Sequence, residues 1–348
     1  MTQEIYLSKK DIIKYLKTTN AEEIKYLFDK ANALTEKLRG NKIHFRGIIE
    51  FSNYCEKNCF YCGLRRDSKI ERYLMTKDEI LNCAKFCHEK NYGSLVLQSG
   101  EITTNKRLDF LIDIISTIKE KYNLGMTLSL GEMPKNSLQK LFDAGGHRYL
   151  LRIETSNESL YKKLHPKNHS FKNRLKTLDN LRDIGFQVGT GVMIGLPFQT
   201  YEDLANDILF FKKMDIDMLG MGPYVADEKA PLYKNAPILK DAFMLSLKMV
   251  ALSRLYLKDV NIAATTAMQT FDKKGREKAM TAGANILMPI VTPTHLRKNY
   301  MIYSNKPCVE DTKEQCFNCI TARLRSINKE MGQNQYGDSL HFHKRIQK

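Results

Sequence analysis

Apolar and polar positions alternate in blocks along most of the chain. Short apolar runs at 43–51, 94–98, 126–130, 148–154, 187–194, 217–224, 261–266 and 285–290 read as buried strands. Between them apolar residues recur at helical spacing, over 77–88, 107–121, 136–143, 171–184, 201–214, 240–257 and 274–282. Several of these helical stretches run into glycine, at Gly145-Gly146, Gly185 and Gly283, where a left-handed C-terminal cap is expected. Parallel strands need long crossovers, and eight strands is the number that closes a barrel. The pattern therefore predicts an α/β fold, a complete (β/α)8 barrel of TIM type over residues 41–295. A helical extension over 1–40 should cap its bottom or side, and a cysteine-bearing extension follows over 296–348.

In such a barrel chemistry collects at the C-terminal ends of the strands. Polar or glycine-rich clusters stand at each of those points. A cysteine loop follows the first strand, Gln98-Ser-Gly-Glu101 the second and Ser129-Leu-Gly-Glu132 the third. Arg152 and Glu154 close the fourth, residues 189–197 (GTGVMIGLP) the fifth and Gly222-Pro-Tyr224 the sixth. Thr265 and Thr266 end the seventh, with Met288-Pro289 and Thr292-Pro-Thr294 at the eighth. A purely structural protein has no reason to aim reactive residues from eight strands at one mouth.

The cysteine loop is the most specific signal. Cys55, Cys59 and Cys62 stand in C-x3-C-x2-C spacing, with the aromatic Tyr61 before the last. Three thiolates give an iron–sulfur cubane one ligand fewer than it normally takes from protein, so one iron stays open to a small molecule. This is the radical S-adenosylmethionine (SAM) signature. The competing reading is a zinc knuckle, which needs a fourth N or S ligand. The nearest histidines in sequence, His44 and His88, fall at no zinc-finger spacing.

SAM carries an amine, a carboxylate, a ribose and an adenine, each needing its own partner. Gln98 and Gly100 occupy the glycine-rich turn after strand 2, where glycine lets backbone carbonyls come close. Glu154 suits a ribose hydroxyl or the SAM amine; its alternative is an ion pair with Arg152. Arg174 suits the carboxylate, since a guanidinium binds one in a fork. Sequence alone does not separate it from an exposed helix arginine. Beside Gly189, Gly191 and Gly195, the backbone of Met193 can reach an adenine edge.

Composition adds bounds. Eight cysteines in a long chain without a signal-peptide layout fit metal ligation in a reducing cytoplasm better than a disulfide framework. No apolar run approaches the ~18 residues needed to span a bilayer. The net charge of +16 comes from scattered lysines. It reads as a solvated surface, or as a docking face for an acidic protein; no nucleic-acid module accompanies it. A second group, Cys308, Cys316 and Cys319 in C-x7-C-x2-C spacing, reads from a polar loop as an auxiliary iron–sulfur site (2Fe–2S or 4Fe–4S), with zinc or an empty site as alternatives. Cys83 and Cys87, four apart on a predicted helix, read as buried thiols.

Taken together, the segments at 50–67 (EFSNYCEKNCFYCGLRRD), 97–101 (LQSGE), 127–132 (TLSLGE), 148–155 (RYLLRIET), 195–200 (GLPFQT), 261–268 (NIAATTAM) and 283–289 (GANILMP) resemble the HydE family of radical-SAM FeFe-hydrogenase maturases. The resemblance implies a closed cavity in which SAM cleavage acts on a small cysteine-derived or iron-bound substrate, during assembly of the hydrogenase cluster. It implies a low-potential flavodoxin or ferredoxin as electron donor and the other hydrogenase maturases as partners. By the same resemblance Cys55, Cys59 and Cys62 bind the SAM cluster, while Tyr61, Gln98, Glu154 and Arg174 hold SAM. Arg152, Thr265, Thr266 and Tyr300 line the lower cavity and bind a substrate carboxylate or anion. Cys308, Cys316 and Cys319 match an auxiliary cluster that some members lack. The chain departs from the family wording in Arg-Ile-Glu on strand 4, where a histidine before the glutamate is expected, and in Gly-Leu-Pro-Phe-Gln, where a Gly-Gln ending is familiar. Biotin synthase and methylornithine synthase are related alternatives. Biotin synthase uses cysteines inside its barrel, whereas this chain has none between Cys87 and Cys308; methylornithine synthase lacks the C-terminal cysteine group. A non-enzymatic RNA-binding metalloprotein would explain the charge but not the eight strand ends.

Overall fold

The computed structural model describes residues 7–237 and 239–347. Residues 1–6, where the sequence shows no secretory-signal layout, lie outside them. Eight parallel strands close on themselves: β1 (Lys42–Ser52), β2 (Ser94–Ser99), β3 (Gly125–Ser129), β4 (Arg148–Leu150), β5 (Gln187–Thr190), β6 (Met218–Leu219), β7 (Asn261–Ala264) and β8 (Ile286–Leu287). Closure is through β8 on β1, with His44 opposite Ile286 and Phe45 opposite Leu287. The crossovers are α3 (Lys77–Glu89), α4 (Asn105–Tyr122), α5 (Lys135–Asp143), α6 (Phe171–Ile184), α7 (Tyr201–Lys213), α8 (Ala242–Leu257) and α9 (Gly275–Thr281). The α/β barrel expected from the periodicity is the one observed. Cys83 and Cys87 are buried on α3, with the Cys83 thiol donating to the carbonyl of Val291 at 3.3 Å.

The last five of the eight barrel strands are shorter than their apolar runs, and two of them show why. The run over 148–154 leaves the ladder after Leu150, and at its end Glu154 adopts a left-handed backbone (φ 65°). There it is pinned between Gly191, whose carbonyl accepts its N–H at 3.0 Å, and Met193, whose N–H reaches its carbonyl at 3.1 Å. The run over 187–194 breaks at Gly191 and resumes as Met193–Ile194, paired with Gly222–Pro223. A Cβ on Gly191 would fall 2.0 Å from the carbonyl oxygen of Gly220. The upper rim is thus re-aimed just where functional residues were expected.

The N-terminal helices, α1 (Lys9–Lys17) and α2 (Ala21–Arg39), lie on the side of the barrel against α7, α8 and α9. Ser8 and Asn20 cap them, and the buried Lys248 of α8 donates to the carbonyls of Leu16 and Thr18. The bottom is filled instead from the C-terminus. α10 (Lys313–Arg325) leads to β9 (Glu330–Met331), which extends β1 below β2. The following segment plugs the barrel: the Gly337 carbonyl accepts from Arg46 and Asn261, and Asp338 accepts from Arg148, Gln187 and His147. No helix among the described residues is long and apolar enough to cross a membrane.

Candidate active site

β1 delivers the chain to the mouth of the barrel, and Arg72 holds the loop that follows. Its guanidinium donates to the carbonyls of Asn53 (2.6 Å), Leu64 (3.0 Å), Arg65 (2.8 Å) and Ser68 (3.0 Å), gathering both ends of the cysteine segment. Strand 2 presses against this loop. A Cβ on Gly100 would lie 2.2 Å from the Tyr54 carbonyl and 2.7 Å from Cys55 Cβ, so only glycine permits the approach. Cys55, Cys59 and Cys62 all line one cavity of about 330 Å³ at the strand ends, a size usual for small-ligand sites. Burial pushes all three thiols up, Cys59 to about 12, so they become ligands only when cations take the charge. Three such donors on one loop, facing a cavity, fit a cluster with one open iron.

The same cavity is lined by Tyr61, Gln98, Gly100, Glu154, Arg174 and Met193, and by Arg152, Thr265, Thr266 and Tyr300. Every residue expected from the sequence to meet SAM or substrate therefore faces one space. Arg174 is no exposed helix arginine. It is 8% exposed, donates from Nε to Glu132 at 2.6 Å and from Nη1 to the Arg152 carbonyl at 2.9 Å. Glu132 and Glu101 also pair with Lys57, at 3.6 and 3.1 Å, in a network of two cations and two anions beside the cysteines. A Cβ on Gly131 would strike the Glu101 side chain. Lys57 was missed by sequence reasoning, although it sits inside the cysteine motif.

Glu154 reaches Arg152 at 3.0 Å, so the ion pair anticipated as an alternative exists. Burial raises its pKa, and Arg152 and Arg174 oppose that. Gln98 donates to the Tyr300 hydroxyl at 3.2 Å, and Thr265 donates to the Met221 carbonyl at 3.1 Å. Deeper in the cavity stands a buried ion pair that the sequence did not announce. Lys306 and Glu50, 256 residues apart, meet at 2.5 Å.

Two histidines flank the cluster loop. His169 Nδ1 is 3.9 Å from Cys59 Sγ, and His165 Nε2 is 3.4 Å from the Tyr61 hydroxyl while its Nδ1 meets the Tyr161 carbonyl. Burial lowers their pKa values to about 4 and about 3. Cys59, His165 and His169 bring their ligand atoms within 4.8 Å of one another, a grouping invisible to spacing because the histidines come from beyond strand 4. A zinc ion there would use one of the three cysteines and leave Cys55 and Cys62 unexplained.

The second cysteine set lies outside this cavity. Cys316 and Cys319 are on α10 rather than in a loop, because Thr312 and Gln315 form a capping box that starts the helix. Cys308 and Cys316 are in side-chain contact, Arg276 donates to Cys308 Sγ at 3.8 Å, and Cys319 is exposed.

Comparison with known proteins accords with this geometry. Residues 49–211 match the radical SAM superfamily. The chain is 44% identical to the FeFe-hydrogenase maturase subunit HydE of Thermotoga maritima, over 89% of this chain and 88% of that one. It is 28% identical to biotin synthase of Clostridium botulinum over 76% of this chain and 82% of that one. A crystal structure of methylornithine synthase superposes with a TM-score of 0.83 at 21% identity, covering 95% of each chain, which shows a shared fold. At 44% identity over nearly the whole length, with the cysteine loop set at the barrel mouth, the chain belongs to the HydE family of radical SAM FeFe-hydrogenase maturases.

Proposed function

We propose that this protein cleaves SAM reductively and uses the product on a small cysteine-derived or iron-bound substrate, as one step in assembling the FeFe-hydrogenase cluster. The observation that carries this reading is the convergence of the cysteine triad, the SAM candidates and the anion candidates on one cavity at the strand ends. When bound by Cys55, Cys59 and Cys62, a 4Fe–4S cluster supplies one low-potential electron and an open iron. The protein's own residues do the positioning. Arg174, steadied by Glu132, takes the SAM carboxylate; Glu154 takes a ribose hydroxyl or the amine; the Met193 backbone meets the adenine edge; and Tyr61 and Gln98 close the walls. Arg152, Thr265, Thr266 and Tyr300 take the substrate's anionic end.

Cys308, Cys316 and Cys319 would hold an auxiliary iron–sulfur cluster apart from this chemistry. The positive surface suits an acidic flavodoxin or ferredoxin as donor, in a cytoplasmic setting shared with the other maturases. The test is complementation. A host lacking its own HydE should regain FeFe-hydrogenase activity on receiving this gene, and should not regain it with the Cys55→Ala, Cys59→Ala, Cys62→Ala form. Failure of the wild-type gene, expressed with full cluster content beside its cognate partner maturases, would overturn the assignment.

A further inference from the structure

Glu50 is the uppermost inward-facing residue of β1, after Arg46 and Ile48. Its backbone is fixed on both sides: its N–H donates to Thr292 Oγ1 at 2.8 Å and its carbonyl accepts from the Tyr73 hydroxyl at 2.6 Å. One carboxylate oxygen, Oε1, is satisfied by Lys306, which also donates to the Tyr300 carbonyl at 3.1 Å and lies 5.1 Å from the Tyr300 ring centre. The other, Oε2, is buried and has no hydrogen-bond partner among the described residues, on a residue only 2% exposed. Buried carboxylate oxygens are normally paired, so an orphan on a residue that lines a ligand cavity marks a place for a donor.

The opposite need stands in the same cavity. Arg152 has a buried Nε without a partner among the described residues, while its Nη2 faces Glu154. Tyr303, which also lines the cavity, feels the charges of both Glu50 and Arg152, so the two lie around one space. The four charges cancel: Glu50 against Lys306, and Arg152 against Glu154. A ligand carrying both charges keeps that balance, whereas a lone cation or anion upsets it in a poorly solvated site.

We propose that Glu50 Oε2 binds the ammonium of an amino-acid moiety in the substrate, with Arg152 on the carboxylate of the same moiety. The inference rests on the function proposed above and adds the substrate's second recognition point. Lys306 is a positioning residue that holds Glu50 by its other oxygen.

The test uses the cluster-loaded, SAM-bound enzyme, so that the open iron is already filled. Three probes are titrated calorimetrically: S-methyl-L-cysteine, 3-(methylthio)propanoate, which lacks the amine, and 2-(methylthio)ethanamine, which lacks the carboxylate. The wild type should bind S-methyl-L-cysteine at least tenfold more tightly than either. Glu50→Gln should erase the preference over 3-(methylthio)propanoate and keep the preference over 2-(methylthio)ethanamine; Arg152→Met should do the reverse. Because Glu50→Gln strands a buried lysine, the paired Glu50→Gln, Lys306→Met variant is measured beside it, with iron content as the folding control. Equal binding of the amino and deamino probes by the wild type, or their discrimination surviving in the paired variant, would overturn the role of Glu50. So would weakened SAM binding in that variant with discrimination intact, which would place Oε2 on SAM. An enzyme that fails complementation but discriminates the probes keeps Glu50's role and loses the maturase function; one that complements but does not discriminate does the opposite.

Discussion

Replacing Arg174 by Met should weaken SAM binding without emptying the cluster site. The guanidinium already spends Nε on Glu132 and Nη1 on the Arg152 carbonyl, and Nη2 has no hydrogen-bond partner among the described residues. A charged hydrogen bond contributes about 1.5–3 kcal/mol, and a factor of ten in affinity corresponds to about 1.4 kcal/mol. Loss of the SAM carboxylate contact should therefore raise the Kd for SAM by about 10- to 150-fold. Glu132 keeps Lys57 as a counter-charge, so the network should survive the change. Arg174→Lys restores the charge but not the planar fork, and should fall between the two. The assay is calorimetric titration of SAM into anaerobically reconstituted protein, with iron content and the cluster's EPR signal as controls. Wild-type SAM affinity in Arg174→Met at full iron content would refute the role, and leave Arg174 as a strut between Glu132 and strand 4.

Changing Cys308, Cys316 and Cys319 to Ala should remove part of the bound iron and leave SAM cleavage near wild type, because none of the three lines the main cavity; full iron content in that variant would exclude an auxiliary cluster. Asp338→Asn should destabilise the protein by about 3–5 kcal/mol in urea unfolding near pH 7, since it leaves the fully buried Arg148 without its anion. Burial opposes the Asp338 charge, but His147, Arg148 and Gln187 outweigh it and hold its carboxyl well below the ordinary range. A depressed carboxylate contributes stability above its unfolded pKa of about 3.9 and loses it as pH falls below; the gap between wild type and variant should therefore narrow from pH 5 downward. Turnover driven by flavodoxin should fall with salt while turnover driven by dithionite changes much less, given a net charge of +16 and a screening length of about 10 Å at 0.1 M.

The barrel was legible because its strands are buried on both faces, and so appear as continuous apolar runs between amphipathic helices. The strand-end residues were legible for the same reason: once the strands are placed, the next polar residue is at the mouth. Three things were not. The Glu50–Lys306 pair and the His169–Cys59 contact join residues 256 and 110 apart, and no local pattern encodes such a meeting. The bottom plug is a short irregular segment held by backbone carbonyls, so its composition looks like any loop. Phe198 is a different case. It stands where the family wording has glycine, and it adopts φ 69°, a conformation glycine takes without strain. Gln199 explains how the turn tolerates it: its side chain accepts from the N–H groups of Gly195 and Leu196 and donates to the Met193 carbonyl, fixing the loop beneath.

Everything proposed for this cavity depends on the three cysteines of the first loop arming SAM cleavage. The direct measurement is anaerobic reduction of the reconstituted protein with SAM, followed by quantitation of 5′-deoxyadenosine and methionine, for the wild type and for the variant with Cys55, Cys59 and Cys62 changed to Ala. The wild type should give both products and the variant neither. Equal product from the two would contradict the cysteines' role.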